Sequence, residues 1–157
     1  MINDTLVTTL QNLEVFRGLA PHQLAEIVRQ SERIVFRPGQ TVVEAEHPGD
    51  GAYLVVAGDA EVLPDSAARG VPISVEAGSL VGEMAMLVEH DYRITVVARS
   101  SIRALKITRQ QIQEQMLADR TLAEHFVDRI SSRLTRVAVE LRRIDQMLAL
   151  AAENATA

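Results

Sequence analysis

Between residues 31 and 107 the chain is cut into short apolar runs, each stopped by turn-forming residues. RIVF (33–36) ends at Pro38-Gly39, and QTVVE (40–44) ends at Pro48-Gly49-Asp50-Gly51. AYLVVA (52–57) ends at Gly58-Asp59, and AEVL (60–63) ends at Pro64-Asp65-Ser66. VPISV (71–75), ITVVA (94–98) and IRALKI (102–107) follow. Runs this short predict strands rather than helices, and many short strands with frequent turns predict an antiparallel sandwich or barrel.

The flanks read differently. In residues 1–30, Asn3 or Asp4 is placed to cap a helix carrying Leu6, Leu10 and Leu13 on one face. Pro21 suits the first position of a second helix, which turns Leu24, Ile27 and Val28 to one side. In residues 108–157, Thr108 is placed to cap TRQQIQEQM. After Ala118-Asp119 neither Gly nor Pro occurs again. Ala123, Val127, Ile130, Leu134, Val137, Leu141, Ile144, Leu148 and Ala151 then alternate at spacings of four and three, the a/d stripe of a coiled coil. Ala123 to Ile130 would pack on the chain's own barrel, and Leu141 onward would project past it. The tail AAENATA is expected to fray. The chain thus divides into an N-terminal helical segment (1–30), a β-roll (31–107) and C-terminal helices including a dimerisation helix (108–157). The fold class is α+β: an antiparallel, jelly-roll-like β-roll with N-terminal helices and a long C-terminal helix.

Charge and composition remove several function classes. Residues 1–107 hold nine Lys/Arg against fourteen Asp/Glu, and residues 108–157 hold seven of each. Neither part has the basic stripe that nucleic-acid binding requires, and at 3% aromatic residues with no Trp, stacking platforms for bases are scarce. No apolar run approaches the ~18 residues of a membrane span. MINDTLVTTLQ lacks the basic and apolar regions of a secretion signal. The absence of cysteine excludes disulfides, thiolate metal sites and thiol catalysis. A cytoplasmic protein binding neither nucleic acid nor membrane is expected. G-x-S-x-G, the P-loop and H-E-x-x-H do not occur, and His22, His47, His90 and His125 lack metal-ligand spacing. Neither an enzyme nor a metal or cofactor site is expected.

One segment suggests ligand chemistry. Gly78-Ser79-Leu80-Val81-Gly82-Glu83-Met84-Ala85-Met86-Leu87 reads as a turn, an extended piece, then a glycine opening a short helix. A helix start presents unpaired N–H groups to an anion, and Gly82 would let a phosphate approach closely. Glu83 opposes an anion there; it fits either as an acceptor for a sugar hydroxyl or as a complement to the helix dipole.

With these pieces in view the chain resembles the cyclic-nucleotide-binding domain family of catabolite activators, kinase regulatory subunits and nucleotide-gated channels. The resemblance runs from about Leu13 to Leu141. It rests on VFRGLAPHQLAEI (15–27), Pro38-Gly39-Gln40, Pro48-Gly49-Asp50 leading into Tyr53-Leu54-Val55-Val56-Ala57-Gly58, and Val81 to Leu87 leading into Thr95-Val96-Val97-Ala98. It implies a G-E-x-A cassette: Val81, Gly82, Glu83, Met84 and Ala85 at the ligand, amides around Met84 and Ala85 on a cyclic phosphate, and Glu83 on the ribose 2′-OH. The ligand would be cAMP or cGMP, with cAMP preferred. The family's phosphate arginine opens the next strand, where ungapped alignment gives Tyr92, and Arg93 comes one residue late. By strand parity Tyr92, Ile94, Val96 and Ala98 share one face and Arg93 the other; a bulge at 91–93 would return Arg93 to the pocket. Tyr92, Arg93 and Ile94 are therefore all candidate ligand residues. Either Arg93 binds the phosphate, or the Tyr92 hydroxyl does, or Tyr92 fills the space.

The long helix also resembles the family's, where it forms the dimer and roofs the base. That implies a homodimer through Val127, Ile130, Leu134, Val137, Leu141, Ile144 and Leu148, although Glu140 would then face Asp145 across the seam. The hydroxyl residues with which catabolite activators touch the base are replaced by Arg136-Val137-Ala138, which leaves base preference open. Without the activators' DNA-reading segment, this chain alone is not expected to read DNA. The function implied is a cyclic-nucleotide sensor signalling through its C-terminal helix. The alternatives are a ligand-independent dimerisation and protein-interaction module, or the sensor piece of a larger transcription regulator.

Overall fold

The computed structural model describes residues 2–64 and 72–155. Helix α1 (Ile2–Gln11) is followed by a 3₁₀ turn (Glu14–Phe16) and helix α2 (Pro21–Gln30). The helix starts at Ile2, so Asn3 and Asp4 sit in its first turn rather than at its cap, and Leu13 lies beyond its end. Leu6 and Leu10 are buried, and Pro21 opens α2 with Leu24, Ile27 and Val28 turned inward.

Ten strands follow among the described residues: β1 (Glu32–Phe36), β2 (Thr41–Val43), β3 (Pro48–Gly49), β4 (Gly51–Ala57), β5 (Ala60–Val62), β6 (Ile73–Val75), β7 (Leu80–Val81), β8 (His90–Asp91), β9 (Val96–Ala98) and β10 (Ile102–Thr108), with helix α3 (Glu83–Leu87) between β7 and β8. Among the described residues all pairings are antiparallel, in two four-stranded sheets (β1-β10-β4-β7 and β2-β9-β5-β6) and a two-stranded ribbon (β3-β8). This is the expected α+β roll. The turn expected at Asp65-Ser66 and the start of the VPISV run at Val71 lie outside the described residues.

Two strand expectations need correction. Pro48-Gly49 is not a turn but a strand, with Pro48 opposite Asp91 and Gly49 opposite His90. The ribbon passes so close to its neighbours that a Cβ on Gly49 would lie 2.6 Å from Ala85 Cβ and 2.7 Å from Tyr92 Cζ, so only glycine fits. The run expected over 94–98 is a strand only from Val96, because the chain bends at Arg93 and Ile94. Two packed clusters result. One joins α1, α2 and the start of the last helix to β4 and β10; the other fills the roll between Val42, Val55, Val81, Val96 and Ile102.

Helix α4 (Arg109–Ala118) is capped by Thr108, whose hydroxyl accepts from the Gln111 amide at 3.1 Å while the Thr108 amide donates to Gln111 Oε1 at 3.0 Å. Gln111 also donates to the Ile27 carbonyl at 3.1 Å and the Ser31 hydroxyl at 2.9 Å, which ties α4 to the end of α2. Helix α5 (Arg120–Ala155) runs on through most of the expected fraying tail. It docks on the domain through Leu122 and Phe126, not through the Ala123–Val127 flank of the heptad stripe: Phe126 is fully buried, in edge contact with Phe16, whereas Val127 is 54% exposed. From Ser131 to Asn154 every residue is exposed. Among the described residues no helix is long and apolar enough to cross a membrane, and no group of three or more His, Asp or Glu is placed to hold a metal ion.

This docking face generates a test. Phe126→Ala should lower the unfolding free energy by about 3–5 kcal/mol, and Val127→Ala by less than about 1 kcal/mol, in urea titrations. Equal losses would show that the stripe residue anchors the helix as firmly as Phe126.

Candidate functional site

Strand β7 ends at Val81, and Gly82 takes a left-handed conformation (φ 79°) before the single turn of α3. Glycine is required there twice over. The dihedral is costly for any residue with a Cβ, and a Cβ would lie 2.6 Å from Tyr92 Cε1. Below Gly82 the Tyr92 ring lies half-buried, and its hydroxyl donates to the Gly51 carbonyl at 2.7 Å. Burial raises this hydroxyl above its ordinary pKa, with Tyr53 and Asp50 adding to the effect, so Tyr92 is a neutral donor.

A cavity of about 890 Å³ opens above this floor. Leu80, Gly82, Glu83 and Met84 form one wall; Val88, His90, Tyr92, Arg93 and Ile94 form another; Ile130, Arg133, Leu134 and Val137 of α5 lie over it. Six expected site residues thus meet at one place: Gly82, Glu83, Met84, Tyr92, Arg93 and Ile94. Val81 and Ala85 do not line it. Both are buried beneath the wall, and the Ala85 amide already donates to the Gly82 carbonyl at 3.1 Å. Of the two amides expected at an anion, Met84's is the one without a backbone acceptor among the described residues.

The bend at 93–94 interrupts strand alternation. Val96 and Ala98 point inward, Ile94 is 42% exposed, and Arg93 is exposed at the cavity edge with its Nε 3.5 Å from His90 Nε2. Arg93 also borders a second, polar cavity of about 910 Å³, with Glu46, Glu89, Asp91 and Arg109.

Two arginines escaped the sequence reading. Arg133 brings a second cation to the cavity from α5. It lies beside the heptad stripe, and nothing in the linear sequence signals that this turn of α5 passes over Gly82. Arg109, the first residue of α4, points Nη1 at the carbonyls of Gly49 (2.9 Å), Ala85 (2.9 Å) and Val88 (3.2 Å). It thereby fastens the β3–β8 ribbon and the middle and C-terminal end of α3 to α4.

The model of the cyclic nucleotide-binding domain matches residues 33–119, more than half of the chain. The chain belongs to the cyclic nucleotide-binding domain family. It is 28% identical over 100 residues to the cAMP-dependent protein kinase regulatory subunit of Aspergillus fumigatus, covering 64% of this chain and 24% of that protein. It is 27% identical over 139 residues to the cGMP-dependent protein kinase egl-4 of Caenorhabditis elegans, covering 88% of this chain and 16% of the kinase. The chain therefore corresponds to about a quarter or less of these relatives. Among solved structures, the N-terminal domain of a transcriptional regulator from Streptomyces coelicolor superposes with a TM-score of 0.73 at 19% identity, over 85% of this chain and 94% of that one. The sensor domain of the regulator DNR from Pseudomonas aeruginosa superposes with a TM-score of 0.65 at 18% identity, over 88% and 95%. These likenesses show the same fold. The family domain is a regulatory binding module rather than a catalytic one.

The clamp in this cyclic nucleotide-binding domain makes a measurable prediction. Arg109→Met leaves the acceptors of Gly49, Ala85 and Val88 short of a donor and should destabilise the fold by about 1–3 kcal/mol. Hydrogen exchange in residues 84–88 should accelerate by roughly ten-fold or more relative to β10. Unchanged exchange there would mean that α3 is held by its apolar contacts alone.

Proposed function

We propose that this chain is a non-enzymatic, cytoplasmic sensor domain that binds a cyclic nucleotide, cAMP in preference to cGMP, and passes the signal to α5. The observation carrying this reading is the convergence of Gly82, Glu83, Met84 and Arg93 on one cavity beneath α5 in a chain of this family. The ligand's phosphate sits at the Met84 amide with Arg93 at its edge, since a desolvated anion is costly without a cation. Glu83 accepts the ribose 2′-OH. Several relatives are regulatory subunits of cAMP-dependent kinases, which favours cAMP. A ligand-free interaction module is the second reading; the observation favouring it is the Tyr92 ring packed against Gly82, where the family's phosphate arginine would reach.

Isothermal titration with cAMP and cGMP separates the two, because the second reading expects no saturable heat from either. Under the first, Glu83→Ala weakens binding by about 1.5–3 kcal/mol, the range for a hydrogen bond to a charged group. A 2′-deoxy ligand then binds wild type and mutant alike. Full discrimination against the deoxy ligand by the mutant would take the ribose away from Glu83.

The chain is also proposed to form a parallel homodimer through Val127, Ile130, Leu134, Val137, Leu141, Ile144 and Leu148. Its support is the exposure of this stripe, with Leu141 at 58% and Leu148 at 63%. Leu141→Glu with Leu148→Glu should give a monomer in sedimentation velocity, and wild type should remain dimeric at concentrations on the order of tens of micromolar. A monomeric wild type in that range refutes the dimer.

A further inference from the structure

Arg93 stands between two cavities, and His90 borders both of them with it. The Arg93 Nε faces His90 Nε2 at 3.5 Å, across the bend that interrupts the strand. We infer that His90 is a positioning residue for Arg93 and that it makes ligand binding respond to pH; this rests on the cyclic-nucleotide reading above.

The contact works in one protonation state only. An N–H donor needs a lone pair, so Nε2 accepts from Arg93 when the imidazole is neutral with its proton on Nδ1. A protonated His90 has no lone pair to offer and sets a second positive charge beside the guanidinium. Arg93 then loses its tether, and an anion in the cavity gives both cations a partner. Neutral His90 engages only the Nε–H of Arg93 and leaves its Nη groups to the ligand, whereas protonated His90 adds a second positive charge at the cavity and so assists the ligand. Proton uptake and ligand binding therefore reinforce each other, and the linkage is reciprocal.

The charged groups around His90 are Glu46, Glu89, Asp91 and Arg109 on the polar side and Glu83 and Arg133 on the ligand side. The cyclic phosphodiester keeps its single charge in either state of His90. His47 is the relevant control: its backbone carbonyl accepts from the Tyr92 amide, but its ring turns to Ala45 and Glu44 rather than to Arg93.

The test has one arm without ligand and one with it. In the free protein, imidazole ¹⁵N shifts should report the Nδ1–H tautomer for His90, and Arg93→Gln should abolish that bias. In calorimetry, wild type should bind cAMP roughly five- to ten-fold more tightly at about pH 6 than at about pH 8. His90→Gln keeps an acceptor that does not titrate and should bind equally at both pH values. His47→Gln should keep the wild-type response. If wild type binds cAMP with no pH dependence, if His90→Gln retains the dependence, or if the tautomer is indifferent to Arg93→Gln, His90 has no such role and the cyclic-nucleotide reading stands. If wild type binds no cyclic nucleotide at either pH, the functional reading falls and the pH response falls with it.

Discussion

One guanidinium nitrogen of Arg109 serves three carbonyls, those of Gly49, Ala85 and Val88. Those carbonyls belong to β3, to α3 and to the residue that ends α3. The five residues of α3 are too few to stand as a helix by themselves. Arg109 is fixed in turn because Thr108 and Gln111 cap the helix it begins, and Gln111 is bonded onward to α2. The cavity wall is thus held by a chain of polar contacts from α2 through α4 to α3, laid over an apolar core. Displacing α3 would strain the start of α4, and α4 leads through Asp119 directly into α5. Gln23 strengthens this last joint. Its amide donates to Asp119, whose other carboxylate oxygen accepts from the Leu122 amide, and these bonds hold the carboxyl below its usual pKa.

Close backbone approach is the second constraint. Gly49 and Gly82 both pack on the Tyr92 ring, and neither tolerates a Cβ. The ring occupies the middle of this arrangement and is pinned by its hydroxyl to Gly51. An arginine at the same position would place a flexible cation where this chain has a rigid, neutral plate. The cations at this cavity lie on its rim, as Arg93 and Arg133. Rim charges are more solvated than a buried one, so each would contribute less to holding an anion.

Local signals in the sequence were legible because they act over a few residues. Pro21 and Thr108 mark helix starts, short β-rich runs mark β4 and β10, and Gly82 marks the turn into α3. Features set by contacts distant in sequence were not. The Pro48-Gly49 pair has the composition of a turn, and only its pairing with His90-Asp91 makes it a strand. Parity placed Tyr92 with Val96 and Ala98, but Ile94 left that face because two bent residues break the period of two. The regular spacing of the stripe drew attention to Val127, whereas Phe126 beside it meets Phe16 in the core. The roles of Arg109 and Arg133 come from helices crossing over α3, which no pattern within either helix records.

Helix α5 brings these threads together. Its first two turns are anchored by Leu122 and Phe126, and a contact from His125 to the Val15 carbonyl at 2.8 Å adds to them. Beyond Ile130 the described helix has no tertiary burial, and isolated helices are only marginally stable in water. The residues over the cavity, Ile130 to Val137, lie where support from the domain gives out. Their position depends on whatever covers the apolar stripe on one side and whatever fills the cavity on the other. Both effects act on the same two turns, since Ile130, Leu134 and Val137 belong to the stripe and to the cavity roof alike. A partner on the stripe and a ligand in the cavity would each order this segment, and the one that binds second would meet it already ordered. Were both sites filled, coupling between them would require no long pathway through the roll; shared occupancy of two helical turns would be enough.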